Sequence, residues 1–143
     1  MRFAALLLGA VATALSGLSA SAAVRIRGDN GGQIGPYIEQ LIALRESGQQ
    51  VIIDGPCLSA CTMVLGVIPR ERICVTRRAR LGFHAAWHPA ENGRIATNPG
   101  GTQLLMAVYP QNVKKWIAKR GCLTRQMKYL SGRELASMYR SCQ

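Results

Sequence analysis

Val51-Ile52-Ile53-Asp54 reads as a short strand, with an unbroken apolar run before Asp54, and lies between two helical patterns. A strand without alternation is covered on both faces, which is the signature of a buried parallel strand. Parallel neighbours need a crossover, usually a helix. The flanks agree with that requirement. Before the strand, Ile34, Tyr37, Ile38, Leu41, Ile42 and Leu44 recur at helical spacing, with Pro36 in the first turn and Gly48 as C-cap. After it, Gly55-Pro56-Cys57 reads as a turn. Residues 59–67 then read as a buried helix that stops before Pro69.

The rest of the chain extends this alternation. Val24-Arg25-Ile26-Arg27 alternates and reads as a first strand. Arg72-Ile73-Cys74-Val75-Thr76 is a third strand, and residues 80–85 are a fourth. Residues 87–101, rich in Pro, Gly and Asn, read as a loop. Residues 102–120 are helical with a break at Pro110, and residues 124–130 add a helical turn or two. Ser131-Gly132-Arg133-Glu134 has the form of a capping box and opens a last helix through Tyr139. The expected fold is a single α/β domain, a mostly parallel sheet with flanking helices. Sites in such sheets form at the carboxyl ends of the strands.

The compartment is read from the first 23 residues. Met1-Arg2 is a short positive start, residues 3–15 are apolar, and Ser19-Ala20-Ser21-Ala22-Ala23 is a run of small residues. This is the form of a secretory signal peptide cleaved after Ala22 or Ala23. The apolar run is too short to span a bilayer, which takes ~20 residues. The expectation is an exported chain, periplasmic or secreted, of about 120 residues without a membrane span.

Export sets the reading of the five cysteines. In an oxidising compartment, Cys57, Cys61, Cys74 and Cys142 are candidates for disulfides. One pairing that fits the layout joins Cys61 to Cys74 and Cys57 to Cys142, leaving Cys122 over. Cys57-x3-Cys61 followed by His84-x3-His88 also resembles a zinc-finger spacing. Its gap of 22 residues exceeds the usual ~12–15, and no metal is expected. A thiolate at Cys57 or Cys61 using His84 is a further alternative.

The formal net charge is +11. It favours anionic envelope components as partners, and nucleic acid is not expected for an exported chain. There is no G-x-G-x-x-G and no Walker motif, so no cofactor is expected.

Three loops carry candidate chemistry. Ser59 follows a buried strand and opens a helix, where backbone N–H groups and the positive helix end favour an oxyanion. The bland role for a serine there is an N-cap. His84 follows another strand and is one of two histidines that could serve as base. Gly31-Gly32 can present backbone N–H groups at the end of the first strand.

Taken in order, Gly31-Gly32, Gly55-Pro56-Cys57-Leu58-Ser59 and Arg80-Leu81-Gly82-Phe83-His84 resemble the Clp-protease/crotonase superfamily. The likeness is to its proteolytic members, with 25 positions from Ser59 to His84. Tyr129-Leu130-Ser131-Gly132-Arg133-Glu134-Leu135 resembles the family's segment after its catalytic acid. The wording around Ser59 is most similar to small exported bacterial members. The resemblance implies an abbreviated Clp-protease/crotonase-like domain over residues 24–143. It implies Ser59 as nucleophile, His84 as general base, and the N–H groups of Gly32 and Ala60 as oxyanion hole. Gly31 and Gly55 would support that loop. Where the family has its acid, this chain has Met127, which leaves a Ser–His dyad or an acid from elsewhere, such as Glu134 or Glu91. The expected activity is a serine hydrolase, a peptidase acting on peptide or protein, with homo-oligomerisation open. The alternative is a catalytically silent binding or assembly module in the periplasm.

Overall fold

The computed structural model describes residues 22–91 and 93–143. The signal peptide expected over residues 1–23 falls almost wholly outside them. The chain opens with β1 (Val24–Ile26), α1 (Ile34–Glu46) and β2 (Val51–Ile53). β1 and β2 are parallel, with Val24 opposite Val51 and Ile26 opposite Ile53, as the apolar strand required. β3 (Pro56–Leu58) follows directly, then a 3-10 helix (Ser59–Met63) running into the single-turn α2 (Val64–Val67). β4 (Ile73–Val75) and β5 (Arg80–Phe83) come next, then a hairpin of β6 (Trp87–Pro89) and β7 (Ile95–Thr97). α3 (Pro99–Val108), α4 (Gln111–Ala118), β8 (Lys128–Ser131), α5 (Gly132–Met138) and β9 (Arg140–Ser141) complete the order.

Apart from the antiparallel β6–β7 hairpin, the strands of the described residues form one parallel sheet and one mixed sheet. The first has the order β1-β2-β4-β9, all parallel. The second has the order β3-β5-β8, in which β3 and β5 are parallel and β8 is antiparallel. The two are stitched together by the chain after β1. Asp29 forms a parallel bridge with Cys57 of β3, three residues beyond the pairing of Ile26 with Ile53. The architecture is a small mixed α/β domain with flanking helices.

The core lies between the sheets and the helices. Val51, Ile53, Ile73, Leu81, Phe83, Val113, Ile117, Leu130 and Leu135 are buried there. Phe83 anchors α3 and α4 to β5. Its ring meets Tyr109 edge-on at 5.3 Å and Trp116 at 5.4 Å. Burying a side chain of that size stabilises the fold by about 2–3 kcal/mol, and each aromatic pair adds about 1 kcal/mol.

Four expectations are corrected. Residues 87–101 are not one loop. They hold the β6–β7 hairpin and the first turn of α3, where Asn98 caps Gly101 N–H at 2.9 Å and Pro99 takes the first position. Residues 124–130 are not helical; β8 pairs there with β5 because Leu130 is needed opposite Leu81 in the core. The turn at residues 55–57 contains most of β3, whose three residues are too few for a periodicity to show. The capping box is unused: Ser131 makes no side-chain cap, and Glu134 is drawn instead to Arg120, at 2.6 Å and 2.8 Å, and to Trp116 Nε1, at 3.3 Å.

The expected disulfide pairing is also corrected. Cys57 is bonded to Cys61, and Cys74 to Cys142. Cys57 belongs to the mixed sheet, whereas Cys142 directly follows β9 of the parallel sheet that holds Cys74. β9 lies beside β4 with Cys74 opposite Arg140, which brings Cys142 back to Cys74. Cys122 is the free, exposed cysteine. Two disulfides fit an oxidising compartment. No helix among the described residues is long and apolar enough to cross a membrane.

Candidate functional site

Ser59 is the first residue after β3 and has φ +55°. A non-glycine residue rarely adopts that backbone, and holding it there costs about 1–3 kcal/mol. Three features supply the hold. The Cys57–Cys61 bridge closes a ring of five residues with Ser59 at its centre. Thr62 Oγ1 donates to the Ser59 carbonyl at 2.6 Å. That uses the one hydroxyl proton of Thr62, so the 2.6 Å bond between Thr62 and Tyr109 is donated by the Tyr109 phenol. Tyr109 is buried, and burial pushes its phenol up to about 12.

The third feature is Gly31. It has φ +77°, and a Cβ on it would stand 2.6 Å from Ala60 N, 2.6 Å from Leu58 O and 2.9 Å from Ser59 Cβ. Only glycine lets the loop after β1 press this closely on the Ser59 turn. Asp29 sets the loop in place. Its N–H donates to Pro56 O at 2.9 Å, and its carbonyl accepts from Leu58 N–H at 2.8 Å. Its carboxylate accepts the Gly31 N–H at 2.7 Å and the Tyr37 hydroxyl. Burial, and then the adjacent Asp29 carboxylate, raise the Tyr37 phenol well above its ordinary value.

Two N–H groups remain at this turn. The Gly31 N–H is taken by Asp29, whereas the Gly32 N–H has no acceptor among the described residues. The Ala60 N–H lies in the first turn of the 3-10 helix, where no intrahelical acceptor exists. These are the two groups for which the resemblance implies an oxyanion hole. Gly55 lies one element earlier: it is packed against the Arg27 backbone, and its carbonyl accepts from Arg80 N–H at 3.1 Å. It therefore ties β3 to β5 and is not part of the turn itself.

His84 is the first residue after β5, as Ser59 is after β3. The two strands are parallel neighbours, with Leu58 opposite Gly82, so both residues leave the same edge of the mixed sheet. Among the described residues Ser59 and His84 share no hydrogen bond. His84 Nδ1 bonds the carbonyl oxygen of Ala85 at 2.7 Å. A carbonyl only accepts, so this bond requires the proton on Nδ1, and in the neutral ring the lone pair is then on Nε2. Ala85 is fixed in turn by its N–H, which donates to Thr124 O at 2.7 Å.

Of the acids named from sequence, Glu134 is committed to Arg120 and Trp116, which lower its carboxyl below the ordinary range, Arg120 foremost. Glu91 is exposed in the hairpin turn. Met127 immediately precedes β8, and Lys128 pairs with Phe83, so continuing the register sets Met127 opposite His84. Its sulfur fills the space left by the absent side chain of Gly82, 2.8 Å from where a Cβ would stand. Both thiolate alternatives are closed, because the sulfurs of Cys57 and Cys61 are bonded to each other. The same bond removes them as zinc ligands.

Asp29, Tyr37, Thr62, Tyr109 and the Ala85 carbonyl were not singled out from sequence. Asp29 had a signal, since Asp two residues before Gly favours an Asx turn. Thr62 and Tyr109 are 47 positions apart and had none.

A second feature is the outer row of the parallel sheet. Arg25, Ile52, Cys74 and Arg140 are register partners across its four strands. Two residues further along, Asp54 is buried under Arg25 and Arg78, at 2.8 Å and 2.5 Å, and also accepts from Thr76 at 2.7 Å. The Arg78 bond foremost, then Thr76 and Arg25, hold the Asp54 carboxyl far below its ordinary value. A concavity of about 220 Å3 beside it is lined by Arg27, Asp54, Gly55, Pro56 and Arg78. Another of about 310 Å3 is lined by Arg70, Glu71 and Arg140. In comparisons with known proteins, no family model matches the chain and no curated protein matches it.

Proposed function

We propose that the chain is an exported serine hydrolase, a peptidase of Clp-protease/crotonase type working with a Ser59–His84 dyad. His84 Nε2 takes the Ser59 hydroxyl proton as Oγ attacks the substrate carbonyl. The Gly32 and Ala60 N–H groups receive the oxyanion. Nε2 returns the proton to the leaving amine, and water then repeats the sequence on the acyl-enzyme. The Ala85 carbonyl takes the orienting part that an aspartate has in a full triad. The observation that carries the reading is the left-handed Ser59, opening the 3-10 helix against the Gly31 loop, with His84 following the neighbouring parallel strand at the same end.

Peptide is favoured as substrate by the hairpin that follows His84. Trp87 and Ile95, 49% and 45% exposed, share one of its faces with Pro89 and Thr97 and offer apolar contact to a chain, three positions and more after His84. The net charge of +11 suits an anionic envelope polymer, and such binding would weaken steeply with salt.

The test is labelling of the folded, disulfide-intact protein with a fluorophosphonate, with Ser59→Ala as control. Labelling that vanishes in the control supports the reading. A folded protein that does not label overturns it and leaves a binding or assembly module.

A further inference from the structure

The Cys57–Cys61 bridge does something the second bridge does not. It joins β3 to the 3-10 helix across only four positions, and both the serine and one oxyanion donor lie inside the ring it closes. Both sulfur-bearing residues are fully buried. Cys57 is pinned on both sides, by pairing with Leu81 of β5 and by the bridge to Asp29. Beyond the backbone itself, the bond to Cys61 ties that fixed point covalently to the helix.

Without the tie, Ser59 has a reason to relax. Its left-handed backbone is unfavourable by itself, and the ordinary right-handed or extended conformations would be more stable locally. The Thr62 bond to the Ser59 carbonyl restrains the same turn, but a hydrogen bond can be exchanged for one to water. Relaxation at Ser59 would turn the Ala60 N–H away from Gly32 and redirect the Ser59 side chain. The Cys74–Cys142 bridge, by contrast, spans 68 positions and fastens β9 to β4, away from this turn.

Resting on the serine-hydrolase reading above, we infer that the Cys57–Cys61 disulfide is a positioning lock for Ser59 and Ala60, and that the hydrolase is silent until this bond forms. The step is a two-electron oxidation. A disulfide-bearing oxidant of the exported compartment accepts two electrons and two protons from the Cys57 and Cys61 thiols. It leaves as a dithiol, and the Cys57 Sγ–Cys61 Sγ bond forms. A chain still in a reducing compartment would then carry the serine and histidine without the assembled oxyanion hole.

The full chain is purified with both bridges intact, alongside C57A/C61A, C61A and C74A/C142A. Each is titrated with the fluorophosphonate to separate the maximal labelling rate from the half-saturating probe concentration. Thermal unfolding is followed in parallel. Loss of an oxyanion donor costs ~10²–10³ in rate, so the maximal rate should fall about 100-fold or more in C57A/C61A. Half-saturation should change little, and C74A/C142A should keep the wild-type rate despite a lower Tm. The single variant C61A also breaks the ring and serves if the double variant does not fold. A maximal rate within about threefold of wild type in the ring-opened variants overturns the lock. Equal losses in both bridge deletions, tracking Tm, reduce the bridge to general stability and also overturn it. A wild-type protein that does not label overturns the hydrolase reading, and the lock with it.

Discussion

Gly31 and Ala60 are 29 positions apart, yet a Cβ on Gly31 would stand 2.6 Å from the Ala60 backbone nitrogen. The loop and the turn are therefore one packed unit. Gly31→Ala meets both a left-handed φ and two backbone atoms that cannot move aside, so a loss of about 2–4 kcal/mol is expected. Gly32 has open space and no such φ, and Gly32→Ala should cost less than about 1 kcal/mol. Urea unfolding of the two variants side by side checks this; equal losses would show that the loop does not press on the turn.

The two bridges should differ in what they contribute to stability. Constraint of the unfolded chain grows with the length of the closed loop. Cys74–Cys142 spans 68 positions and is worth about 4 kcal/mol, whereas Cys57–Cys61 spans 4 and is worth about 2 kcal/mol. C74A/C142A should therefore show the lower urea midpoint. The reverse order would mean that the small ring carries native-state contacts beyond chain constraint.

Stability should fall at both ends of the pH range. The Asp54 carboxyl is depressed in the folded protein by Arg78, Thr76 and Arg25. Its contribution is complete above the ordinary aspartate value of 3.8 and is lost as pH falls from there toward the folded value. Asp54→Asn should flatten that acid limb. Tyr109 and Tyr139 are raised from 10.0 to about 12, mainly by burial, so their contribution is complete below pH 10 and is lost as pH rises through 12. Thermal melts from pH 2 to 12 read both limbs; an Asp54→Asn protein with an unchanged acid limb would refute the first assignment.

Thr62 should matter more than Tyr109. Tyr109→Phe removes one donated bond but leaves Thr62 bonded to the Ser59 carbonyl, a loss of about 1 kcal/mol. Thr62→Val leaves both the carbonyl and the buried phenol without their partner, and about 2–3 kcal/mol is expected. Comparing the two by urea unfolding, with labelling rate alongside, tests whether the Thr62 bond holds the turn.

What could be read from sequence follows from how far each signal reaches. Val51-Ile52-Ile53 and the periodicity of α1 are local patterns, and both elements lie where they were expected. Ser59, His84, Gly31 and Gly32 were legible as residues after strands; the pairing of β3 with β5 brings Ser59 and His84 to one edge, and the Asp29 bridge to Cys57 brings the glycine loop to Ser59. The Ala85 carbonyl was not legible, because a backbone acceptor leaves no trace in residue type. β3, β8 and β9 have two to four residues each, too few for a period, and exist because neighbouring strands need partners. The disulfide pairing was misread for the same reason: it depends on which sheet β3 joins, and no local pattern states that.

The stitch made by the chain after β1 has a consequence for folding. Residues 24–29 pair first with β2 and then, through Asp29, with β3, so one short segment belongs to both sheets. Neither sheet can open at that edge without loosening the other. The turn at Ser59 depends on residues 29–31, on 57–62 and on Tyr109, which makes it a long-range assembly with no local nucleus. Its hydrogen-bonded amides, such as Leu58 N–H on the Asp29 carbonyl, should therefore exchange with solvent only when the whole domain opens, unlike the open N–H groups of Gly32 and Ala60. A fragment ending before Tyr109 should hold neither the turn nor the slow-exchanging amides that mark it.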